Sequence, residues 1–413
     1  MRVKLLTFGL VLFVWTDVGH AETPASSCNS INSYKDVLRC AVENSPQSLQ
    51  AKLLYEQNKS LVGIAGQRPN PEISSQFFNG KAGDDKYKYT QVNLAHTFEL
   101  GGKRSARIRR SEVQVENTEF DLKLTQEQIY LKTYLSMIRL RQISTEIEIF
   151  DDALTTFEKI QKQYRSRPRM TPEQRATYTI MDIAANDYKL RRKPLVNEAR
   201  ELERYLELAI GQKLDVRRDF FPPFRKKWPT VSSANIESSL TLKKSLADVE
   251  LAKAELDEAK SLSWPDLKLG PSFETQSQGN QNINSLGINL SFAIPLFHIN
   301  GAGRSFAAAG VSRAEMILST TRKTENQRLQ VEIEKYNDAV SSLESSMSTL
   351  DLSKKHREVE SAFANGVVPS SLVIEIHRQL ADYSKSLSEQ ENVAIESLAE
   401  VYSIQGRLLT EGL

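Results

Sequence analysis

Five histidines, two cysteines and one glycine-rich basic tetrad are the residues whose chemistry could define a function in this 413-residue chain. Imidazole nitrogens and thiolates bind zinc, and zinc sites announce themselves by close spacing of those residues. His20, His96, His298, His356 and His377 are scattered, and no His/Cys spacing reads as a zinc site, so no metal ligand set is expected. His96 and His298 fall on or beside extended segments, where polar side chains facing a lumen is a simpler reading than a metal relay. Gly101-Gly102-Lys103-Arg104 is not a phosphate loop, because the upstream glycine of that motif is missing and Arg104 stands where a hydroxyl residue would hold Mg2+. No Ser/His/Asp order can be defended. Neither a catalytic residue nor a cofactor is expected, and the chain reads as a non-enzyme.

The cysteines carry a different chemistry. Cys28 and Cys40 are close enough in sequence to close a small N-terminal loop by a disulfide in an oxidising compartment. Two free thiols are the alternative. Acylation of Cys28, preceded by Ala25-Ser26-Ser27, is a third reading, although this cysteine lies well beyond the apolar N-terminal run. That run, Leu5 to Trp15, follows Arg2 and Lys4 and is succeeded by Gly19-His20-Ala21, the pattern of a secretory signal over 1–21. It is too short for a transmembrane helix, which needs about 20 residues. The 54 basic and 52 acidic side chains leave a net charge of +2, so no field for nucleic acid exists.

The elements that must position these residues come in two copies. A first repeat is expected over 22–211, a Pro- and charge-rich linker over 212–238 (Phe221-Pro222-Pro223, Arg225-Lys226-Lys227-Trp228-Pro229), and a second repeat over 239–413. Each reads helix, Pro-marked break, strand, polar loop, strand, Gly-marked turn, very long helix, loop, long helix. Arg68-Pro69-Asn70-Pro71-Glu72-Ile73 corresponds to Trp264-Pro265-Asp266-Leu267. Phe98-Glu99-Leu100 and the tetrad correspond to Ile294-Pro295-Leu296 and Gly301-Ala302-Gly303-Arg304. Gly101, Gly102, Gly301 and Gly303 are expected to allow the strand-to-helix bends.

From Arg104 to Tyr164 there is neither Pro nor Gly, which predicts a helix of about 60 residues and about 90 Å. Ile143, Ile147, Phe150, Leu154, Phe157 and Tyr164 keep heptad spacing. So do Leu329, Ile333, Tyr336, Val340, Leu343, Met347 and Leu350 on a helix expected from Ser305 to Ala364. Ile376, Leu380, Tyr383, Leu387, Ala394, Val401 and Leu408 hold the register on the return helix. Pro194 predicts a kink or break in the first return helix. Leu286, Ile288, Leu290, Phe292 and Ile294 alternate with small or polar residues, as do Val92, Leu94 and Phe98, so both read as strands. Ile73–Asn79 and Leu267–Gln276 are weaker partners, joined to them by polar loops over 80–88 and 277–285. These pairs fit transmembrane strands of about 9–11 residues, and equally fit soluble hairpins. Four strands cannot close a barrel, and open edges in hydrocarbon leave backbone groups unpaired. If the strands span a membrane, copies must share one barrel, and a trimer is the smallest assembly that leaves a pore.

The duplication, the strand pairs and the very long helices resemble the TolC-like outer-membrane efflux protein family over nearly the whole mature chain. Arg68-Pro69-Asn70-Pro71-Glu72 and Glu99-Leu100-Gly101-Gly102-Lys103-Arg104 look like its heavy-metal (CzcC-type) branch. The resemblance implies a mainly α protein with a small β part, forming a homotrimer. Four strands per protomer would build a 12-stranded barrel in outer-membrane lipid, and coiled-coil hairpins a periplasmic α-barrel. It also implies a periplasmic adaptor and an inner-membrane RND-type pump as partners, and passive export of small solutes, metal cations first. Drug or type I protein secretion is the alternative cargo, and a periplasmic adaptor or a soluble coiled-coil scaffold the alternative protein. In the family the helical tips meet the adaptor and form the entrance. Here they fall on Gly366, Pro369 and the acidic Glu375 in the second repeat. In the first repeat Arg165, Arg167 and Arg169 suit acidic groups of an adaptor or a solvated loop.

Overall fold

Lys103 to Arg165 form a single helix of 63 residues, about 95 Å long, and the rest of the protein is arranged along it. A computed structural model describes residues 28, 31–213, 220–233, 236–297, 299–347 and 349–413. The expected secretory segment over 1–21 and His298 lie outside the described residues. The helices are α1 (Tyr34–Asn44), α2 (Pro46–Ala65), α3 (Lys103–Arg165), α4 (Pro172–Ile210), α5 (Leu240–Ser261), α6 (Gly301–Glu344), α7 (Thr349–Ala364), α8 (Ser370–Ile404) and α9 (Leu408–Glu411). The strands are β1 (Glu72–Ala82), β2 (Asp85–Phe98), β3 (Leu267–Gln278) and β4 (Gln281–Phe292). The order α2-β1-β2-α3-α4 thus recurs as α5-β3-β4-α6-α7-α8, in keeping with the duplicated pattern. Cys28 and Cys40 are joined as a disulfide that ties the chain ahead of α1 to that helix.

Heptad positions do bury. Ile143, Phe150 and Phe157 of α3 pack with Met181 and Tyr188 of α4 and Val373 of α8. Nearer the sheet, Met137, Ile138 and Leu140 pack with Val37 and Leu38 of α1 and Leu206 of α4. In the second repeat Tyr336 and Leu343 of α6 meet Ala394 and Leu398 of α8. The stretch between the repeats is less free than its composition suggests. Trp228 meets Tyr336 edge-on at 6.2 Å, and the Tyr336 hydroxyl donates to the Pro229 carbonyl at 2.5 Å.

Four expectations need correction. The helix expected over 305–364 is two helices. At the break the Ser346 hydroxyl donates to the Leu343 carbonyl at 2.6 Å and the Met347 amide donates to the Tyr383 hydroxyl at 2.7 Å, so side chains take over bonds that a continuous helix would make. Pro194, in contrast, sits inside an uninterrupted α4, so of the expected kink or break it makes no break. Leu408 belongs to α9, beyond a turn at Gly406. The expected loops over 80–88 and 277–285 are mostly strand, and tight turns at Gly83 and Gly279, both with positive φ, join the hairpins.

Candidate functional site

The sheet runs β1-β2-β3-β4, antiparallel throughout, so the two repeats meet at the β2–β3 pair. Register decides what its faces look like. Ile73 pairs with Leu94, Val92 with Phe273, Phe98 with Leu267, Phe273 with Leu286, and Pro271 with Ile288. Because side chains alternate, all of these point to one side, together with Phe77, Leu269, Leu290 and Phe292. That side is apolar across all four strands for about 20 Å of strand length, apart from Ser75 and His96. It is also bare: Leu286 is 82% exposed, Ile288 80% and Ile73 76%. Polarity returns toward the turns, where Thr275 donates to Asn284 at 2.7 Å.

The other face is polar. Gln91 donates to Ser272 at 3.1 Å, Asn93 to Ser74 at 3.4 Å, and Lys268 pairs with Glu72 at 2.7 Å. Among the described residues, β1 and β4 each have one neighbour only, so both outer edges carry unpaired backbone groups. The sheet thus combines an exposed, largely apolar face, a more polar face and, among the described residues, two open edges. Among the described residues no helix is long and apolar enough to cross a membrane.

Where the sheet meets the long helices, the repeats use different residues for the same bend. Gly101 and Gly102 both have positive φ, and a Cβ on Gly101 would collide with the Trp264 ring. Lys103 then pairs with Asp266 at 2.6 Å, and Arg107 with Glu99. In the second repeat the left-handed residue is Asn300 (φ 50), whose side chain donates to the Ala259 carbonyl at 2.8 Å. Gly301 and Gly303 lie within the first turn of α6, so the expectation that they make this bend is corrected. Asn tolerates left-handed backbone through local hydrogen bonding of its short side chain.

At the opposite end, α3 and α4 are joined through Arg167–Pro168–Arg169 and α7 and α8 through Gly366–Pro369. Gly366 has φ 71 and Pro369 is the N-cap of α8. Arg165 donates to the Tyr178 hydroxyl at 2.8 Å, and Arg167 stacks over Tyr164 with 5.3 Å to the ring centroid. The Tyr164 hydroxyl lies 3.3 Å from that of Ser370, which links the two tips. Glu375, one turn into α8, accepts from Arg378 at 2.7 and 3.0 Å and from Gln379 at 2.8 Å. Those hydrogen bonds, Arg378's first, hold its carboxyl below the ordinary range, so it stays ionised.

No family model and no curated protein matches the sequence. Solved structures do match. The open-state MtrE outer membrane channel of Neisseria gonorrhoeae aligns with TM-score 0.72 at 12% identity, covering 92% of this chain and 90% of that one. The CmeC outer membrane channel of Campylobacter jejuni aligns with TM-score 0.71 at 14% identity, covering 91% and 85%. The outer membrane protein VceC of Vibrio cholerae gives 0.65 at 12%, covering 90% and 96%. The chain has the fold of an outer-membrane channel protomer. Similarity at this level of identity carries the architecture: long helices on one side, a four-stranded antiparallel sheet on the other.

One arrangement was not anticipated from spacing. His356 and Glu360 of α7, His377 of α8 and Asp152 of α3 bring four potential ligand atoms within 4.8 Å of one another. The His356-x3-Glu360 spacing puts two of them on one helix face and is the only local signal. Asp152 is remote in sequence from the other three. His96 pairs with Leu269 and so lies on the apolar side of the sheet, where its ring meets Phe98 edge-on at 5.0 Å, which corrects the expectation of a polar side chain facing a lumen.

Proposed function

We propose that this protein is the outer-membrane duct of a tripartite export system, working as a passive homotrimer. Three copies of the four-stranded sheet share a 12-stranded barrel, with β4 of each copy pairing with β1 of the next. The observation that carries the reading is the sheet itself: among the described residues one face is exposed and largely apolar, the other is richer in polar side chains, and both edges are open. Twelve strands leave a water-filled lumen, whereas eight would be filled by side chains. The long helices extend the lumen through the periplasm, and energy comes from an inner-membrane pump, of RND type by the family resemblance, through a periplasmic adaptor. The exposed arginines Arg165, Arg167 and Arg169 suit acidic adaptor groups.

The gate is placed at the α7–α8 tip, around Gly366, Pro369 and Glu375. Glu375 shares its charge with Arg378, so the pair sets the local selectivity. Glu375→Gln leaves Arg378 with only the more distant Asp382 at 3.8 Å as its acidic partner and shifts selectivity toward anions. By the resemblance of the Arg68–Glu72 and Glu99–Arg104 segments to the heavy-metal branch, the cargo is metal cations. Chain extracted from outer membranes and purified in detergent is expected to run as a trimer and to form discrete channels in planar bilayers. A monomer that stays soluble without detergent would sink the reading. Sensitivity of a deletion strain to transition metals, set against drugs, tests the cargo separately.

A further inference from the structure

His377 is fully buried, and its Nδ1 lies 2.7 Å from the Val373 carbonyl. A carbonyl only accepts, so Nδ1 carries the proton and Nε2 presents a bare lone pair. That Nε2 lies 3.1 Å from His356 Nε2. Glu360 Oε1 is 3.6 Å from His356 Nε2 and 3.8 Å from His377 Nε2, and Asp152 Oδ2 is 3.8 Å from both. In a tetrahedral zinc site, bonds of about 2.0–2.2 Å set neighbouring ligand atoms about 3.3–3.5 Å apart. The five separations that involve a histidine nitrogen lie within a few tenths of an ångström of that spacing, and the two carboxylate oxygens, within 4.8 Å of each other, have at most about 1.3 Å to close, at the exposed Asp152 side chain.

We propose that Asp152, His356, Glu360 and His377 form a site for a borderline divalent transition metal, with Zn2+ as the reference ion, that fastens α7 to α3 and α8. The inference goes beyond the duct reading and does not depend on it. Two imidazoles and two carboxylates neutralise a dication, and nitrogen donors select against the hard cations Mg2+ and Ca2+. The supporting shell is in place. The Val373 carbonyl orients His377, and the Thr156 hydroxyl donates to Glu360 Oε1 at 3.1 Å. Phe157 braces the His377 ring edge-on at 5.5 Å. Asp152 is half-exposed, and a cavity of about 440 Å³ lined by Arg141, Tyr383 and both histidines opens onto the cluster.

The site has a mechanical role because of where it falls. Helix α7 follows the break after α6, leads into the Gly366 turn, and has no fully buried side chain among its described residues. His356, with its side chain 13% exposed, is among its most deeply set groups. A metal at this point couples a thinly packed helix to the long helix of the other repeat.

The test uses the full chain in detergent, stripped of metal and titrated with Zn2+ by calorimetry. One equivalent per chain is expected, Cu2+ tighter, and no heat from Mg2+ or Ca2+. His356→Ala should weaken Zn2+ by at least about 100-fold, taking the upper end of what second-shell losses alone cost. Asp152→Asn, at an exposed position that leaves packing intact, should weaken it as well and serves if His356→Ala fails to fold. His96→Ala should change nothing. Zn2+ should slow hydrogen exchange across α7 in the unsubstituted chain and not in Asp152→Asn. Absence of Zn2+ binding, or binding that both variants leave unchanged, overturns the proposal, since the cluster is then only a hydrogen-bonded pair of histidines with acidic neighbours. Either result is read without transport, so it leaves the duct reading untouched.

Discussion

Tyr188 shows how much a single side chain can hold back. It is packed between Phe150 at 5.3 Å and Phe157 at 5.6 Å, yet its hydroxyl is buried without a hydrogen-bond partner. Burial pushes its ionisation up to about 12. Tyr188→Phe keeps the packing and removes the orphan donor, so it should stabilise the chain by about 1 kcal/mol in urea melts; a loss of stability would show that the hydroxyl has a partner. Glu127 is a second case. Burial raises its carboxyl, partly opposed by the Ser403 hydrogen bond. A folded value above the unfolded one means that the stability it lends is complete below the ordinary glutamate range and is lost as pH rises through the folded value. Glu127→Gln should therefore unfold at higher urea than the parent at pH 7, with the gap closing in acid. A gap that widens in acid would reverse the sign. Neither residue was legible in sequence, because burial of a polar group on a heptad helix depends on which neighbour covers it. The cysteine pair was legible, since only twelve positions separate the partners. The His356/His377 cluster was not, because its Asp152 comes from the other repeat.

Elements were easier to read than their ends. The run from Arg104 to Tyr164 without Pro or Gly marked α3 almost to the residue, because nothing in it stops a helix. The hairpins were read too short: Lys86, Lys88, Asn282 and Asn284 look like loop, yet they continue the strands with their neighbours paired across the ladder. A strand near the end of a barrel wall need not be apolar, so composition misleads there. The break after α6 was missed because Ser-Ser-Met is compatible with helix, and the interruption comes from Tyr383 on α8. The tie between repeats was equally invisible. Nη2 of Arg141 in α3 donates to both carboxylate oxygens of Glu391 in α8, and Nη1 donates to the Pro222 carbonyl at 3.0 Å. The Glu391 side chain is 3% exposed. Arg141→Leu leaves that carboxylate buried with Gln142 at 2.9 Å as its remaining donor, and should cost about 3–5 kcal/mol. Adding Glu391→Leu should recover most of the loss. If the double variant is as unstable as the sum of the singles, the pair contributes something other than charge compensation.

At the scale of the whole molecule the sheet poses a requirement that one chain cannot meet. Its largely apolar face is bare along every strand, and among the described residues its two edges leave a row of backbone donors and acceptors without strand partners. Water could solvate the edges but not the face; hydrocarbon could cover the face but not the edges. Copies joined edge to edge within a bilayer satisfy both conditions together. Adjacent residues of β4 separate this account from its rivals, because Ile288 faces the apolar side and Asn289 the polar one. In the proposed barrel Ile288→Lys places a charge near the middle of the band that meets lipid, at about 2–4 kcal/mol per copy for a midplane lysine. It should abolish heat-resistant trimers when the chain is refolded into lipid vesicles and run on a gel. Asn289→Lys adds the same charge one residue away, toward the lumen, and should leave the trimer intact while shifting conductance toward anions. Equal damage from both substitutions would mean that the two faces meet the same surroundings, and neither a shared barrel nor a lumen would then fit this sheet.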